Sequence, residues 1–275
     1  MPYKPQSTIS PFQRHKAKWI DCQRCSLCER RKHVVLVRGK VPAPILFIGE
    51  APGASEDVLG RPFVGPAGKL LDHIIEKGID GQYDYALTNL VGCIPKPSPP
   101  RVVNMKREEC DVRIDRKSEW GNPFLIGKDG NRLEVIARYA EWLPTQAKLM
   151  RKLPSLSGKR LGCHCSPQPC HGDVIVALYK QEVGTGKVAE PPEEAITACA
   201  PRLQELAKIV NPQLIVYVGK LAVQYGDPYL HNSSSRREIE IIHPAAILRM
   251  DISQQGLAVQ RCIVALEDAI EEVCP

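Results

Sequence analysis

Pro44-Ile-Leu-Phe-Ile-Gly49 is an uninterrupted apolar run that stops at a glycine. A Gly- and Pro-rich stretch, 50–65, follows it, and then residues 67–78, in which Leu70, Leu71, Ile74 and Ile75 recur at helical spacing before Gly78. An apolar run of this length with no polar alternation predicts a strand buried on both faces. Similar runs occur at 85–91, at 213–219 (again ending in glycine) and at 238–242, the last leading into His243-Pro244. Helical periodicity fills 192–210, where Ile196, Cys199, Leu203 and Leu206 share a face, and 257–273 closes the chain. Buried strands alternating with amphipathic helices predict a three-layer α/β/α fold around a mostly parallel sheet. In such folds the ligand crevice lies at the carboxyl ends of the strands, and the loops with the distinctive residues sit there.

The chain has 275 residues, of which 43% are apolar and 25% charged, with a net charge of +6. That is enough chain for one large or two modest cores. The mild basic excess is compatible with a polyanionic partner without requiring one. No apolar run reaches the roughly 18 residues of a membrane helix, and residues 1–10 lack the apolar core of a secretory leader. Eleven cysteines, an odd number, point to a reducing, cytoplasmic location, where clustered cysteines bind metal more often than they pair. A monomer is expected.

Residues 102–187 interrupt the alternation. A proline-rich entry, 95–100, and a Gly-containing exit, 183–187, have the character of hinges around an inserted domain. The predicted division is therefore 1–101 with 188–275 as one discontinuous domain, and 102–187 as a small inserted α+β domain. The insert carries a helix near 133–143 and the run Gly162-Cys-His-Cys-Ser-Pro-Gln-Pro-Cys-His-Gly-Asp173 before another helix. Cys163, Cys165, Cys170 and His171 have ligand types and spacing that admit zinc. The same run also suits a reactive thiol at a helix amino end, or a compact turn with no ligand. Arg116, Asn122 and Asp173 are candidate nucleotide contacts. Near the amino end, Cys22-Gln-Arg-Cys25 offers two thiolates to a metal that needs more ligands from elsewhere, and structural zinc is the ordinary reading of an isolated pair.

Taken together, Gly49-Glu-Ala-Pro-Gly-Ala-Ser-Glu-Asp57, Gly60-Arg-Pro-Phe-Val-Gly-Pro-Ala-Gly-Lys-Leu-Leu-Asp72, Thr88-Asn-Leu-Val-Gly-Cys93, the Cys199 helix and His243-Pro-Ala-Ala-Ile-Leu-Arg249 resemble the motifs of the type 4 uracil-DNA glycosylases, in that family's order. The resemblance covers 18–101 and 188–265. It implies a [4Fe-4S] cluster held by Cys22, Cys25, Cys93 and Cys199. It also implies a DNA glycosylase that flips uracil into a pocket and hydrolyses the N-glycosidic bond, leaving an abasic site. In that pocket Phe63 would stack the base, and Asn89 would read its edge with one donor and one acceptor. The backbone of Gly49, Ala51 and Gly53 would line it. His243 would stabilise the departing anionic base. Glu56, with Glu50 second, would orient water and stabilise the sugar cation, while Asp57 braces the loop. Arg236, Arg237 and Arg249 are the expected phosphate contacts. The insert resembles an uncharacterised bacterial and phage domain family whose activity the resemblance does not fix.

Three functions follow from these readings: removal of uracil from DNA, excision or handling of a modified pyrimidine with the insert as a nucleotide-linked partner activity, or a catalytically silent DNA-binding module. Retention of Glu56, Phe63, Asn89 and His243 argues against the third. A pure binder has no use for both base-reading and charge-stabilising groups.

Overall fold

The computed structural model describes residues 9–183, 190–230 and 236–273. Its strands, in chain order, are β1 (Arg38–Gly39), β2 (Ile45–Gly49), β3 (Tyr85–Asn89), β4 (Arg101–Asn104), β5 (Val112–Arg113), β6 (Arg160–Cys163), β7 (Leu214–Val218) and β8 (Arg237–Ile241). The helices are α1 (Pro11–Trp19), α2 (Ala54–Leu59), α3 (Pro66–Ile79), α4 (Arg132–Trp142), α5 (Ala147–Lys152), α6 (His171–Glu182), α7 (Glu193–Val210), α8 (Lys220–Leu230), α9 (Pro244–Ile247) and α10 (Ile252–Val273). Contacts divide the chain into two compact units, Met1–Pro95 with Glu190–Pro275, and Lys96–Ala189. Among the described residues no helix is long and apolar enough to cross a membrane.

In the first unit five strands form one sheet in the order β1-β3-β2-β7-β8. All pairings are parallel except β1 with β3, so the protein has the mixed α/β, mostly parallel architecture that the alternation predicts. Residues of β2 and β7 alternate between two cores, because successive side chains of a strand point to opposite faces. Ile45, Phe47, Leu214, Val216 and Val218 pack with α3 and α10 residues such as Leu71, Ile74 and Leu266. Leu46, Ile48, Ile215 and Tyr217 pack on the other face with Leu203, Leu206 and Val210 of α7 and Ala222 of α8. In this unit helices α1, α2, α8 and α9 lie outside the expected set. Helix α8 carries Gly226 and Pro228, residues that blur a helical signal in sequence.

The second unit has a three-stranded sheet in the order β4-β6-β5, parallel in both pairings. Its own core joins Ile114, Trp120, Tyr139, Leu161, Ile175 and Tyr179. Helix α6 approaches this sheet closely. A Cβ at Gly172 would stand 2.6 Å from Ile114 Cδ1 and 2.8 Å from Val102 Cγ2, so any larger residue would force these core side chains to move.

Candidate active site

Register places the loops. Gly49 pairs with Asn89 at the ends of β2 and β3, and Val218 pairs with Ile241 at the ends of β7 and β8. The residues that follow, Glu50 to Gly65, Gly219 and His243, therefore leave from the same carboxyl edge of a parallel sheet.

At this edge Gly49, Phe63 and Asn89 meet. A Cβ on Gly49 would lie 2.5 Å from Phe63 Cζ and 2.6 Å from Asn89 Oδ1, so the ring and the carboxamide converge on a bare backbone. Asn89 is 3% exposed, and its carboxamide makes no hydrogen bond among the described residues. Its side-chain atoms are not among the fully buried unpaired ones, so the carboxamide is reachable from the crevice and open to a partner from outside the chain. Phe63 has φ of 54°, a left-handed conformation that costs a bulky residue of order 1–3 kcal/mol. The strain is held from both sides. Glu56 Oε1 accepts from the backbone N–H of Val64 at 2.9 Å and of Gly65 at 2.8 Å, while the Phe63 backbone is pressed against Gly68. Asp57 Oδ1 accepts from the N–H of Lys32 at 2.7 Å, fastening the same loop to the preceding segment.

Glu50 is half-buried, and its carboxylate makes no hydrogen bond or ion pair among the described residues. Burial, with the charge of Glu190 in support, raises its pKa above 4.5. The Ala51 and Gly53 backbones flank it in the same loop, and Gly53 is the N-cap of α2. His243 packs against Gly219 and caps α9, its Nδ1 accepting from Ala245 N–H at 3.1 Å. That bond decides the tautomer: the neutral ring carries its proton on Nε2. Burial, and secondarily the charge of Arg249, lowers the His243 pKa below 6.5, so the ring is neutral at pH 7.

Arg249 is exposed and near enough to His243 to act on it. Arg236 and Arg237 are elsewhere. They stand at the start of β8, paired in register with the start of β7, at the opposite edge of the sheet from Asn89 and His243. Arg237 is ion-paired with Glu272 at 3.0 Å. The phosphate contacts expected of these two arginines would therefore lie at the amino edge of the sheet, away from Asn89 and His243. The preceding residues 233–235 lie outside the described residues. Two groups escaped the sequence reading. Leu248, 45% exposed, protrudes between His243 and Arg249. Arg202, 1% exposed, donates to the carbonyl oxygens of Asn89 at 2.5 Å and Leu90 at 3.1 Å, fixing the strand end. Its place on the Cys199–Leu206 stripe of α7 was the available signal.

Cys22, Cys25, Cys93 and Cys199 gather in one cluster with Trp19, Val91 and Ile196. Burial pushes the Cys93 thiol up to about 12; Arg31 opposes the rise, and Cys199, Cys25 and Cys22 add to it. Arg31 Nη1 is buried with no hydrogen-bond partner.

In the second unit a cavity of about 200 Å³ is lined by Asp115, Arg116, Phe124, Arg132, Cys163, Cys165 and Cys170, among others. The Sγ atoms of Cys163, Cys165 and Cys170 all lie within 4.8 Å of one another, as an ion's ligands would. The neighbouring Cys170 thiol lowers the pKa of Cys163 below the usual thiol range, while that of Cys170 is raised. His171 is braced instead: Nε2 is 2.6 Å from Ile114 O, and the ring meets Tyr139 edge-on at 5.1 Å. Asn122 donates to Val135 O and accepts from Phe124 N–H, and Asp173 accepts from Cys170 N–H. Both polar side chains serve the backbone.

The chain is similar to proteins named type-4 uracil-DNA glycosylase. It is 40% identical over 109 residues to that of Saccharolobus solfataricus, covering 38% of this chain and 49% of the relative. It is 36% identical over 122 residues to that of Sulfurisphaera tokodaii, covering 43% and 54%. The chain thus spans about half the length of these curated relatives. A family model described as "Domain of unknown function (DUF4326)" matches residues 101–181. An uncharacterized 12.4 kDa protein in the nrdA-td intergenic region of Enterobacteria phage T4 is 41% identical over 86 residues, 30% of this chain and 78% of the phage protein. About two fifths of the chain is thus similar to proteins named type-4 uracil-DNA glycosylase, and residues 101–181 match a second family of unknown function.

Proposed function

We propose that the discontinuous unit removes uracil from DNA by hydrolysing its N-glycosidic bond, leaving an abasic site. The observation that carries this reading is the buried, unpartnered carboxamide of Asn89 set against Phe63 over the bare backbone of Gly49. A flat base slides onto the Phe63 ring, and its edge offers Asn89 one donor and one acceptor. As the bond to the sugar breaks, negative charge moves onto the base. The Nε2 proton of His243, fixed by the Ala245 hydrogen bond, is donated toward it as a hydrogen bond from a neutral imidazole. Of the two candidate carboxylates, Glu50 has both oxygens free to orient water and face the sugar cation, whereas Glu56 spends one oxygen on two backbone amides. The preference between them is thereby reversed: Glu50 becomes the reacting group and Glu56 the brace. Arg249 meets phosphate, and Leu248 fills the space left by the flipped base.

The four cysteines of the first unit fit a [4Fe-4S] cluster. A single zinc, with Zn–S of about 2.3 Å, would draw its sulfurs to within roughly 3.8 Å of each other. The four are not among the described groups packed that closely, yet the other three each act electrostatically on Cys93. A larger, anionic group also supplies the partner that buried Arg31 lacks. Such a cluster would tie the amino-terminal segment to β3 and α7, and hydrolysis draws no electron from it.

Base release from oligonucleotides carrying uracil, 5-hydroxymethyluracil or thymine, scored by alkaline cleavage, tests the proposal. Release from uracil that His243→Ala abolishes is expected. Release only from 5-hydroxymethyluracil would transfer the assignment to a modified pyrimidine. No release by folded protein with its brown chromophore intact would refute a glycosylase.

A further inference from the structure

The insert's cavity stands apart from all of this chemistry. Strand β6 is central in its parallel sheet and ends at Cys163, so Cys163 and Cys165 occupy the carboxyl-edge crevice of a second sheet. Cys170 is the N-cap of α6, seven residues on. The Sγ atoms of Cys163 and Cys165 are 3.7 Å apart. Tetrahedral zinc with Zn–S of about 2.3 Å requires sulfurs about 3.8 Å apart, so the pair already stands at the spacing the ion imposes. All three are free thiols, and no fourth donor joins the group among the described residues. His171, the sequence's candidate for that role, turns Nε2 to Ile114 O and sets Nδ1 3.7 Å from Cys170 Sγ, but it does not belong to the group of mutually close ligand atoms. The three sulfurs line the cavity instead of being closed off beneath it.

We propose that Cys163, Cys165 and Cys170 hold one zinc ion whose fourth coordination position opens into this cavity, making the insert an open zinc site for a small Lewis-basic or anionic ligand. Structural zinc sites are closed by four protein ligands, whereas sites that bind or activate a ligand keep three and leave one position for water or substrate. The walls suit an anion. Arg116 makes no ion pair among the described residues, and Arg132 spends one nitrogen on Pro169 O at a long 3.4 Å. Asp115, 8% exposed, has a buried Oδ1 with no hydrogen-bond partner, an acceptor for a ligand's N–H or O–H. Phe124, Ile126, Val135 and Ile136 supply the apolar remainder. The assignment is independent of the glycosylase reading.

The test uses the full chain, purified without added chelator, with zinc and iron measured separately by mass spectrometry. One zinc per chain is expected. It should be lost in Cys163→Ser and in Cys165→Ser, and retained in Cys110→Ser, His164→Ala and His171→Ala. Because loss of a cysteine can unfold the insert, a second measurement uses the wild-type chain with cobalt in place of zinc. Its visible bands should report tetrahedral coordination by thiolates, and should shift when cyanide, a small Lewis base, is added. Folded protein that holds no zinc, or in which Cys163 and Cys165 form a disulfide, would overturn the proposal. Loss of zinc from either histidine variant, or cobalt bands indifferent to cyanide, would overturn the open fourth position.

Discussion

Adding one methyl group at Gly49 is the most direct test of the first site. The new Cβ would stand 2.5 Å from Phe63 Cζ and 2.6 Å from Asn89 Oδ1. Carbon atoms in contact prefer about 3.5 Å or more, so the ring must retreat by about 1 Å. Overpacking of this kind costs about 1–3 kcal/mol, which at about 2–4 °C per kcal/mol for a unit of this size lowers the melting temperature by roughly 2–12 °C. The catalytic effect is larger. A 1 Å misplacement of groups that hold the substrate costs about 10²-fold in rate, or about 2.7 kcal/mol of transition-state stabilisation. The assay is the single-turnover rate of uracil release with enzyme in excess, beside a thermal melt. Gly78→Ala is the control. Its Cβ would meet Leu266 at 3.0 Å in the α3–α10 core, and it should lower stability while leaving the rate alone. If Gly49→Ala folds and keeps its rate within about threefold, or ~0.7 kcal/mol, then Gly49, Phe63 and Asn89 do not form the base pocket.

The pH dependence follows from two shifted groups. The lowered pKa of His243 means that its protonation slows uracil release only below pH 6.5, so it contributes no limb at or above that pH. Because the unfolded histidine takes up a proton first, the same group costs stability as pH falls from 6.5 through the folded value, measurable by melts. Glu50 has the opposite sign. Its raised pKa means stability present below 4.5 that is lost as pH rises through the folded value, so Glu50→Gln should melt higher at pH 7 and release uracil slowly. Arg31→Met removes the charge beside Cys93 and should bleach its brown colour faster in chelator, as followed by absorbance. Gly256→Ala, in α10 with nothing within 4 Å of the added Cβ, should stabilise by about 0.5–1 kcal/mol.

Buried strands were readable because their apolar runs are continuous: Ile45–Gly49 and Leu214–Val218 are buried at every position. Edge elements were not. The two residues of β1 carry no period, and α8 is broken by its own glycine and proline. In the site, residue types were legible and commitments were not. Nothing in the sequence says that Glu56 is consumed by Val64 and Gly65, or that Asn122 is consumed by Val135 and Phe124, since both acceptances depend on loop paths. Arg236 and Arg237 are a different case. Residues immediately before a parallel strand lie at its amino end, so the direction of β8 alone placed them away from the crevice.

The order of strands has a consequence in time. β1, β2 and β3 all precede Lys96–Ala189, while β7, which pairs with β2 along Ile45–Ile48, follows it. At about 5–20 residues per second of synthesis, the ribosome spends roughly 5–20 s making the insert while that β2 edge has no partner. Four buried apolar residues with free backbone groups are then open to any other strand, so the insert's speed of synthesis and folding sets how long the first unit stays vulnerable.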